Sequence, residues 1–243
     1  DHLDLHSFPT RRSSDLIYPN HPENNVRYQY GGPGATFNRV GRLLAIEDGS
    51  GRQEFKYGLQ GELTELSRTL VIPNQGVANY VTQWEYDSWN RLKNMTYPDG
   101  EIVTYSYNPG GLLNKVTGTK SGTTTVYVDD IRYDKFEQRT LLKYDNGTQT
   151  DYTYNPLNRL MNTLKVQKGA NMLMNNVYAY DSVQNIISIV SSNITQGDIG
   201  GNMSHQYRYD NLNRLDSAWG SFVGPNSKMA DYTLGLSYDN LHN

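Results

Sequence analysis

Acidic side chains recur in this sequence at one fixed position beside a tyrosine, and carboxylates at a fixed spacing can form a catalytic pair. In two copies an asparagine replaces the aspartate. The residues at this position are Asp87, Asn108, Asp134, Asn155, Asp181, Asp210 and Asp239. Paired carboxylates serve as general acid and base in many hydrolytic sites. A catalytic pair occurs once in a chain, however, and these side chains recur throughout it. Because Asp and Asn accept backbone hydrogen bonds at the start of a turn, we predict turns here and no catalytic residue.

Other reactive side chains lack the arrangement that chemistry needs. His2 and His6 lie in the first residues, and His21, His205 and His242 are too scattered to form a metal-ligand motif. The chain contains no cysteine, which excludes a disulfide framework and thiolate ligands. The motifs of nucleophile elbows, phosphate loops and zinc proteases are absent from the sequence. We therefore expect no enzyme activity, no metal and no cofactor.

Charge and composition narrow the class of protein further. With 25 acidic and 22 basic residues the net charge is -3, and no basic run marks a nucleic-acid surface. Apolar runs are too short to cross a membrane, in keeping with a mean hydropathy of -0.71. The 20 tyrosines and 22 glycines favour strands joined by tight turns. The composition thus predicts an all-β fold.

One unit, an aromatic residue two positions before a tyrosine, is repeated along the chain. Its second tyrosine stands at Tyr57, Tyr86, Tyr107, Tyr133, Tyr154, Tyr180, Tyr209 and Tyr238, after a divergent copy ending at Tyr30. The intervals of 21 to 29 residues suit one hairpin and its connection, since a propeller blade needs about 40. A single hairpin is marginally stable in water, so each copy must depend on its neighbours.

The columns after the tyrosine describe a turn and a returning strand. Four residues on, most copies carry a residue that tolerates left-handed backbone, namely Gly61, Asn90, Gly111, Asn158 and Asn213. This predicts a type I turn closed by a left-handed residue. Glu137 and Gln184 occupy the column in two copies, whose turns are predicted to differ. Apolar residues three apart, such as Leu92 and Met95, predict a β-bulge in the returning strand.

Two further features leave alternatives open. Arginines follow the turn at Arg42, Arg91, Arg159 and Arg214. Pairing with the turn Asp, or solvation, is favoured over contact with a cargo or polysaccharide. The tyrosines are the best candidates for stacking on sugars, yet a tyrosine in every hairpin is first a packing residue. The segments 118–122 and 196–201 are predicted to be loops between hairpins.

Three copies carry a recognisable motif. Residues 86–92, 154–160 and 209–215 have the form Tyr-Asp/Asn-x-x-Asn-Arg-Leu, which resembles the YD repeat of rearrangement-hotspot (Rhs) proteins, bacterial wall-associated proteins, the C component of insecticidal toxin complexes, and teneurins. The resemblance covers roughly residues 26–243. It implies a curved β-strip that spirals into a hollow shell, which in bacterial members encloses a C-terminal toxin. The Asp-Pro pair of the family's self-cleaving region is absent from this sequence, so no catalytic residue carries over.

The resemblance also sets the expected domains and function. Residues 1–16 are assigned to a non-native leader, because Ser7–Leu16 resembles a translated sequencing adaptor. Residues 17–243 are expected to be a repeat array truncated at both ends, with open strand edges that promote aggregation. The expected function is a segment of a shell, secreted or on the cell surface. Its partners would be the remaining repeats and a C-terminal toxin of the same polypeptide. A repeat adhesin that binds carbohydrate or protein is the alternative, and an enzyme is the least favoured interpretation.

Overall fold

The structure, a computed structural model, describes residues 15–72, 74–195 and 197–239. These residues form 17 β-strands and two short 3-10 turns, Pro22–Asn24 and Pro225–Ser227, and they contain no α-helix. Antiparallel pairing joins consecutive strands among the first seven strands of the chain, and again from the ninth strand to the seventeenth. The predicted all-β array of antiparallel hairpins is confirmed. Within the described ranges no helix is long and apolar enough to cross a membrane.

The chain divides into two compact units, 1–106 with 116–125 and 107–115 with 126–243. The strands of the first part of the chain are β1 (Arg27–Tyr30), β2 (Leu43–Asp48), β3 (Gly51–Tyr57), β4 (Leu63–Ile72), β5 (Gly76–Tyr86), β6 (Leu92–Thr96) and β7 (Ile102–Tyr107). Those that follow are β8 (Leu113–Lys120), β9 (Thr123–Tyr133), β10 (Arg139–Tyr144), β11 (Thr148–Tyr154), β12 (Met161–Lys168), β13 (Asn171–Tyr180), β14 (Ile186–Asn193), β15 (Asn202–Tyr209), β16 (Leu215–Val223) and β17 (Met229–Gly235).

A bulge stands at the start of the returning strands, next to the repeated tyrosine. In the β5–β6 hairpin Tyr86 lies opposite Leu92 and Glu85 lies opposite Asn94, so Lys93 has no partner in the register. The extra residue places Leu92 and Met95 on the same face as Tyr86, although they are three residues apart. The β13–β14 hairpin has the same shift. The predicted bulge is therefore confirmed, and it explains the unusual apolar spacing.

The apolar side chains form a thin layer on one face of each unit. Phe55 lies opposite Leu66, and Met95 lies opposite both Trp84 and Val103 on its two neighbouring strands. These side chains share the face of the repeated tyrosines. The only buried hydrophobic residues in the described ranges are Ala45, Val103, Ile131 and Ala218, and no large side chain among them is fully buried. A half-buried face of this kind is stabilised mainly by neighbouring strands, since a thick core is missing.

Two predicted segments differ from the structure. Residues 118–120 belong to β8, and only Ser121 and Gly122 form the turn, with φ of 51° and 80°. A two-residue hairpin turn needs positive φ at both positions, so the strands run up to it and the predicted longer loop is wrong at 118–120. The second segment follows the end of β14 and precedes β15, as predicted, with residue 196 outside the described ranges.

The leader assigned to residues 1–16 reaches the fold at its last two residues. The backbone N–H of Leu16 donates to the Val26 carbonyl at 2.9 Å, and the Val26 N–H donates back at 3.0 Å. The Asp15 carboxylate accepts the N–H of Tyr28 at 2.8 Å. Asp15 and Leu16 therefore extend the edge beside β1. Residues 1–14, with His2 and His6, and residues 240–243, with His242, lie outside the described ranges.

Candidate functional site

In seven copies the repeated tyrosine bonds its hairpin to the one before it. Its hydroxyl donates to the main-chain carbonyl oxygen of the first residue of the preceding returning strand. The donor and acceptor pairs, 2.7 to 3.0 Å apart, are Tyr57–Leu43, Tyr86–Leu63, Tyr133–Leu113, Tyr154–Arg139, Tyr180–Met161, Tyr209–Ile186 and Tyr238–Leu215. We call this contact the tyrosine latch. Burial raises the pKa of the Tyr180 and Tyr209 hydroxyls, so they keep the proton that they donate.

The repeated aspartate closes the turn that follows each tyrosine. The Asp87 Oδ1 atom accepts the N–H groups of Trp89 and Arg91 at 2.9 and 3.0 Å. Its Oδ2 atom accepts the Arg91 Nε at 2.7 Å. The hydrogen bonds from the side chain and backbone of Arg91 hold the pKa of Asp87 below its usual value. A carboxylate held ionised in this way supports a turn and is a poor general acid.

Asp210 repeats this arrangement with its own arginine. It accepts the N–H groups of Leu212 and Arg214 at 2.8 and 3.0 Å, and its Oδ2 atom accepts the Arg214 Nε at 2.7 Å. Backbone hydrogen bonding from Arg214, followed by the side-chain contact, lowers the pKa of Asp210. In both copies the arginine is thus engaged locally, the alternative that the sequence favoured.

The left-handed position follows the turn geometry more than the residue type. Asn90 and Asn213 have φ of 58° and 59°, but Glu137 and Gln184 also lie in this region, with φ of 62° and 74°. The expectation that these two turns differ is wrong. In the Glu137 turn the Asp134 Oδ1 atom accepts two backbone N–H groups, at 2.8 and 3.0 Å, and these bonds fix the backbone whatever residue follows.

The turn after Tyr154 is one residue longer than the others. The backbone N–H of Asn155 donates to the carbonyl of Leu160, five residues on. In the turn after Tyr86 the backbone N–H of Asp87 donates to the carbonyl of Arg91, four residues on. The left-handed residue is consequently Arg159, with φ of 65°, and Tyr154 lies opposite Met161. The predicted left-handed position of Asn158 is wrong, because the extra residue moves it one step along the turn.

In two neighbouring copies the carboxylate and the guanidinium come from different repeats. Asp134 is followed by Gln138 where the copies that begin at Asp87 and Asp210 have arginine, whereas Asn155 is followed by Arg159 but is not itself a carboxylate. The Arg159 guanidinium reaches back to the Asp134 carboxylate and the Gln138 side-chain oxygen. It also lies 4.0 Å from the centre of the Phe136 ring. We call this contact the split pair, and analysis of single repeats did not predict it.

A third variant moves the carboxylate within the turn. Gly58 stands at the position of Asp87 and Asp210, and Glu62 stands at the position of their arginines. The Glu62 carboxylate occupies the missing side chain's place, since a Cβ atom built on Gly58 would lie 1.8 Å from its Oε1 atom. Its Oε2 atom accepts the Gln60 N–H at 2.9 Å. The turn thus keeps a carboxylate by a different route.

The remaining candidate residues are placed as follows. Asn108 accepts the Leu112 N–H at 3.0 Å, and Gly61 and Gly111 have φ of 92° and 85°. Asp181 accepts the N–H groups of Val183 and Asn185. In the described part of the chain, no group of three His, Asp or Glu side chains could hold a metal ion.

Side chains of β15 and β17 form an aromatic cluster of His205, Tyr207 and Tyr232. The His205 Nδ1 atom lies 3.0 Å from the Tyr232 hydroxyl, and its ring stacks with Tyr207 at 6.5 Å. Gly220 lies beneath them, because a Cβ atom there would meet the Tyr232 ring at 2.6 Å. The cluster offers flat rings and two polar atoms, which suits packing or stacking on a ligand.

The tyrosine latch, the repeated turn and the antiparallel pairing of consecutive strands together define a hairpin-repeat protein. The RHS Repeat family matches residues 86–124. The fold is similar to chains in the crystal structures of TcdB2-TccC3-TEV (23% identity, TM-score 0.70, 88% of this chain) and TcdB2-TccC3-Cdc42 (23%, 0.72, 89%). It is also similar to a chain of the Photorhabdus luminescens Tc holotoxin pore (22%, 0.73, 95%). This chain spans only 12 to 13% of the length of those chains. No curated protein sequence matches it. Residues 86–124 thus match an RHS repeat, and the described chain shares the fold of those chains.

Proposed function

We propose that this chain is a segment of a structural shell that encloses a toxin polypeptide and has no catalytic activity of its own. The observation that carries the proposal is the tyrosine latch, which joins successive hairpins through main-chain acceptors. Such bonds join hairpins that are only marginally stable alone into a continuous sheet. The turn carboxylates, which are the most regular reactive groups, are engaged in hydrogen bonds within their own turns.

The comparisons support a toxin-associated role. The similar folds belong to Tc toxin structures, and one of them is TcdB2-TccC3 without its hypervariable C-terminal region (19% identity, TM-score 0.63). A variable C-terminal region is what the YD-repeat resemblance implies for a carrier of different toxins. The proposed partners are therefore the remaining repeats and a C-terminal toxin of the same polypeptide. The proposed location is extracellular or at the cell surface.

Protease protection in the complete gene product tests this proposal. Long-read sequencing across the gene would first identify the segment that follows the repeats. That segment should resist protease while the repeats are folded, and should be cut once urea unfolds them. A segment cut as fast within the folded protein as when it is made alone would refute enclosure. The lack of any toxin-like segment after the repeats would do so as well.

A carbohydrate-binding adhesin is the second candidate, and the aromatic cluster of His205, Tyr207 and Tyr232 favours it. Tyr232 is 42% exposed, so its ring is accessible for stacking on a sugar. Binding of this chain to a glycan array, lost in the variant Tyr232→Ala, would favour this function over the shell. A control variant at Tyr80 on β5, which is 44% exposed and belongs to the other unit, should leave such binding unchanged.

A further inference from the structure

One end of the hairpins in the second unit carries a row of exposed apolar side chains. The third residue after the repeated tyrosine is Phe136, Leu157, Val183 or Leu212 in four successive copies, with exposures of 53, 93, 61 and 63%. We call these four residues the tip row. Single exposed apolar residues are ordinary, but the same exposed position in consecutive repeats marks an interaction surface.

The turns themselves do not require apolar side chains at these positions. Each tip residue donates its backbone N–H to the Asp or Asn that starts the turn, at 2.8 to 3.0 Å, and this bond does not involve its side chain. Polar residues and glycine are the usual choices in such turns. At the opposite end of the strands the chain does use them, in Asp145–Gly147 and at Gly169.

The pairing of the strands fixes the spacing of the tip row. Strands β9 to β17 pair in chain order, so the four turns lie at the same end of the strands. Neighbouring strands are about 4.8 Å apart, so successive hairpins repeat at about 10 Å. A partner that buries the whole row must therefore present apolar groups at that interval over about 30 Å.

We propose that the tip row is an interface for the tip row of a second copy of this chain. A second copy presents the same interval, so two rows that meet about a two-fold axis match along their whole length. Their charges are compatible, because the four turns hold three basic side chains and four carboxylates and two of the carboxylates are paired with arginine. Four tips bury little area, so the association is weak and depends on concentration. This inference does not depend on the proposed shell function.

Sedimentation of the purified chain over a range of concentrations tests the proposal. The variant Leu157→Ser with Leu212→Ser should raise the dissociation constant of the dimer at least about tenfold. The control Ile199→Ser removes another apolar side chain, 79% exposed, from the connection between β14 and β15, and should leave the dissociation constant unchanged. Equal urea midpoints for the three proteins would show that folding is unaffected.

Three results would overturn the tip-row interface. The first is a chain that stays monomeric at every concentration reached. The second is association that the double tip variant leaves unchanged, or that Ile199→Ser weakens as much. The third is association abolished by Leu234→Lys on β17, a strand exposed along its whole length, because pairing would then run through that edge.

Discussion

Removal of a single latch hydroxyl should measurably destabilise the array. In the variant Tyr180→Phe the ring stays in place and only the hydroxyl that donates to the Met161 carbonyl at 3.0 Å is lost. A hydrogen bond of this kind contributes about 1 kcal/mol to the free energy of unfolding. With a urea slope of about 2–3 kcal/mol per molar, the midpoint of unfolding should fall by about 0.3–0.5 M.

The neighbouring Tyr178 provides a matched control. It lies two residues earlier on β13, on the same face, and its hydroxyl has no hydrogen-bond partner in the described part of the chain. Tyr178→Phe should therefore change the urea midpoint by no more than about 0.1–0.2 M, because a typical surface substitution changes the free energy of unfolding by a few tenths of a kcal/mol. Equal effects of the two substitutions would show that the tyrosines contribute through their rings alone.

Several latches removed together should add. Tyr154, Tyr180 and Tyr209 stand on successive hairpins with separate acceptors, so their effects are expected to be independent. The triple Phe variant should lose about 3 kcal/mol, a large part of the roughly 5–15 kcal/mol of a typical domain. A triple variant no less stable than Tyr180→Phe would refute the idea that hydroxyl bonds between repeats stabilise the array.

Three further predictions concern the turns. Asp134→Asn and Arg159→Lys should each lower the urea midpoint, and the double variant should be no worse than the worse single one; strictly additive losses would show that the split pair does not form in solution. Gly58→Asp should destabilise by more than about 1 kcal/mol, because it sets a second carboxylate against Glu62, and adding Glu62→Arg should restore stability; a double variant weaker still would contradict this. The folded state lowers the pKa of the turn aspartates Asp87, Asp134, Asp181 and Asp210 below their ordinary value of 3.8. The free energy of unfolding should therefore be constant above about pH 4 and fall as the pH drops below 3.8. Urea midpoints that stay constant from about pH 5 to pH 2 would argue against this.

The strands and the bulge could be predicted because both leave a local pattern. The hairpins follow from alternation that ends at a tyrosine and a turn, and Leu92 and Met95 are three apart only because Lys93 is extra. The longer turn after Tyr154 could not be predicted in the same way. Its residues fit the same motif as the other two copies, and the added residue shows only in the structure, in the Asn155–Leu160 hydrogen bond, the φ of Arg159 and the register of Met161.

The side chains that connect repeats could not be assigned from one repeat. Arg159 and Asp134 are 25 residues apart, and the motif offers each a nearer partner that is missing in its own copy. A clue was present, because the copy that lacks arginine directly precedes the copy that lacks the acid. Whether the two side chains meet depends on the register in which the strands pair, which one repeat does not reveal. The partners of the tyrosine latch depend on the register in the same way.

The chemistry of the latch explains how repeats of unequal length and sequence can form one regular array. The acceptor is a main-chain carbonyl, so the residue that supplies it is free to vary, and it is Arg139, Met161 and Ile186 in three successive latches. The donor is a tyrosine in each of them, and its hydroxyl reaches the preceding hairpin from the end of its own strand. Each contact therefore depends on the side chain of one residue, and the residue that supplies the main-chain acceptor differs from latch to latch without loss of the bond.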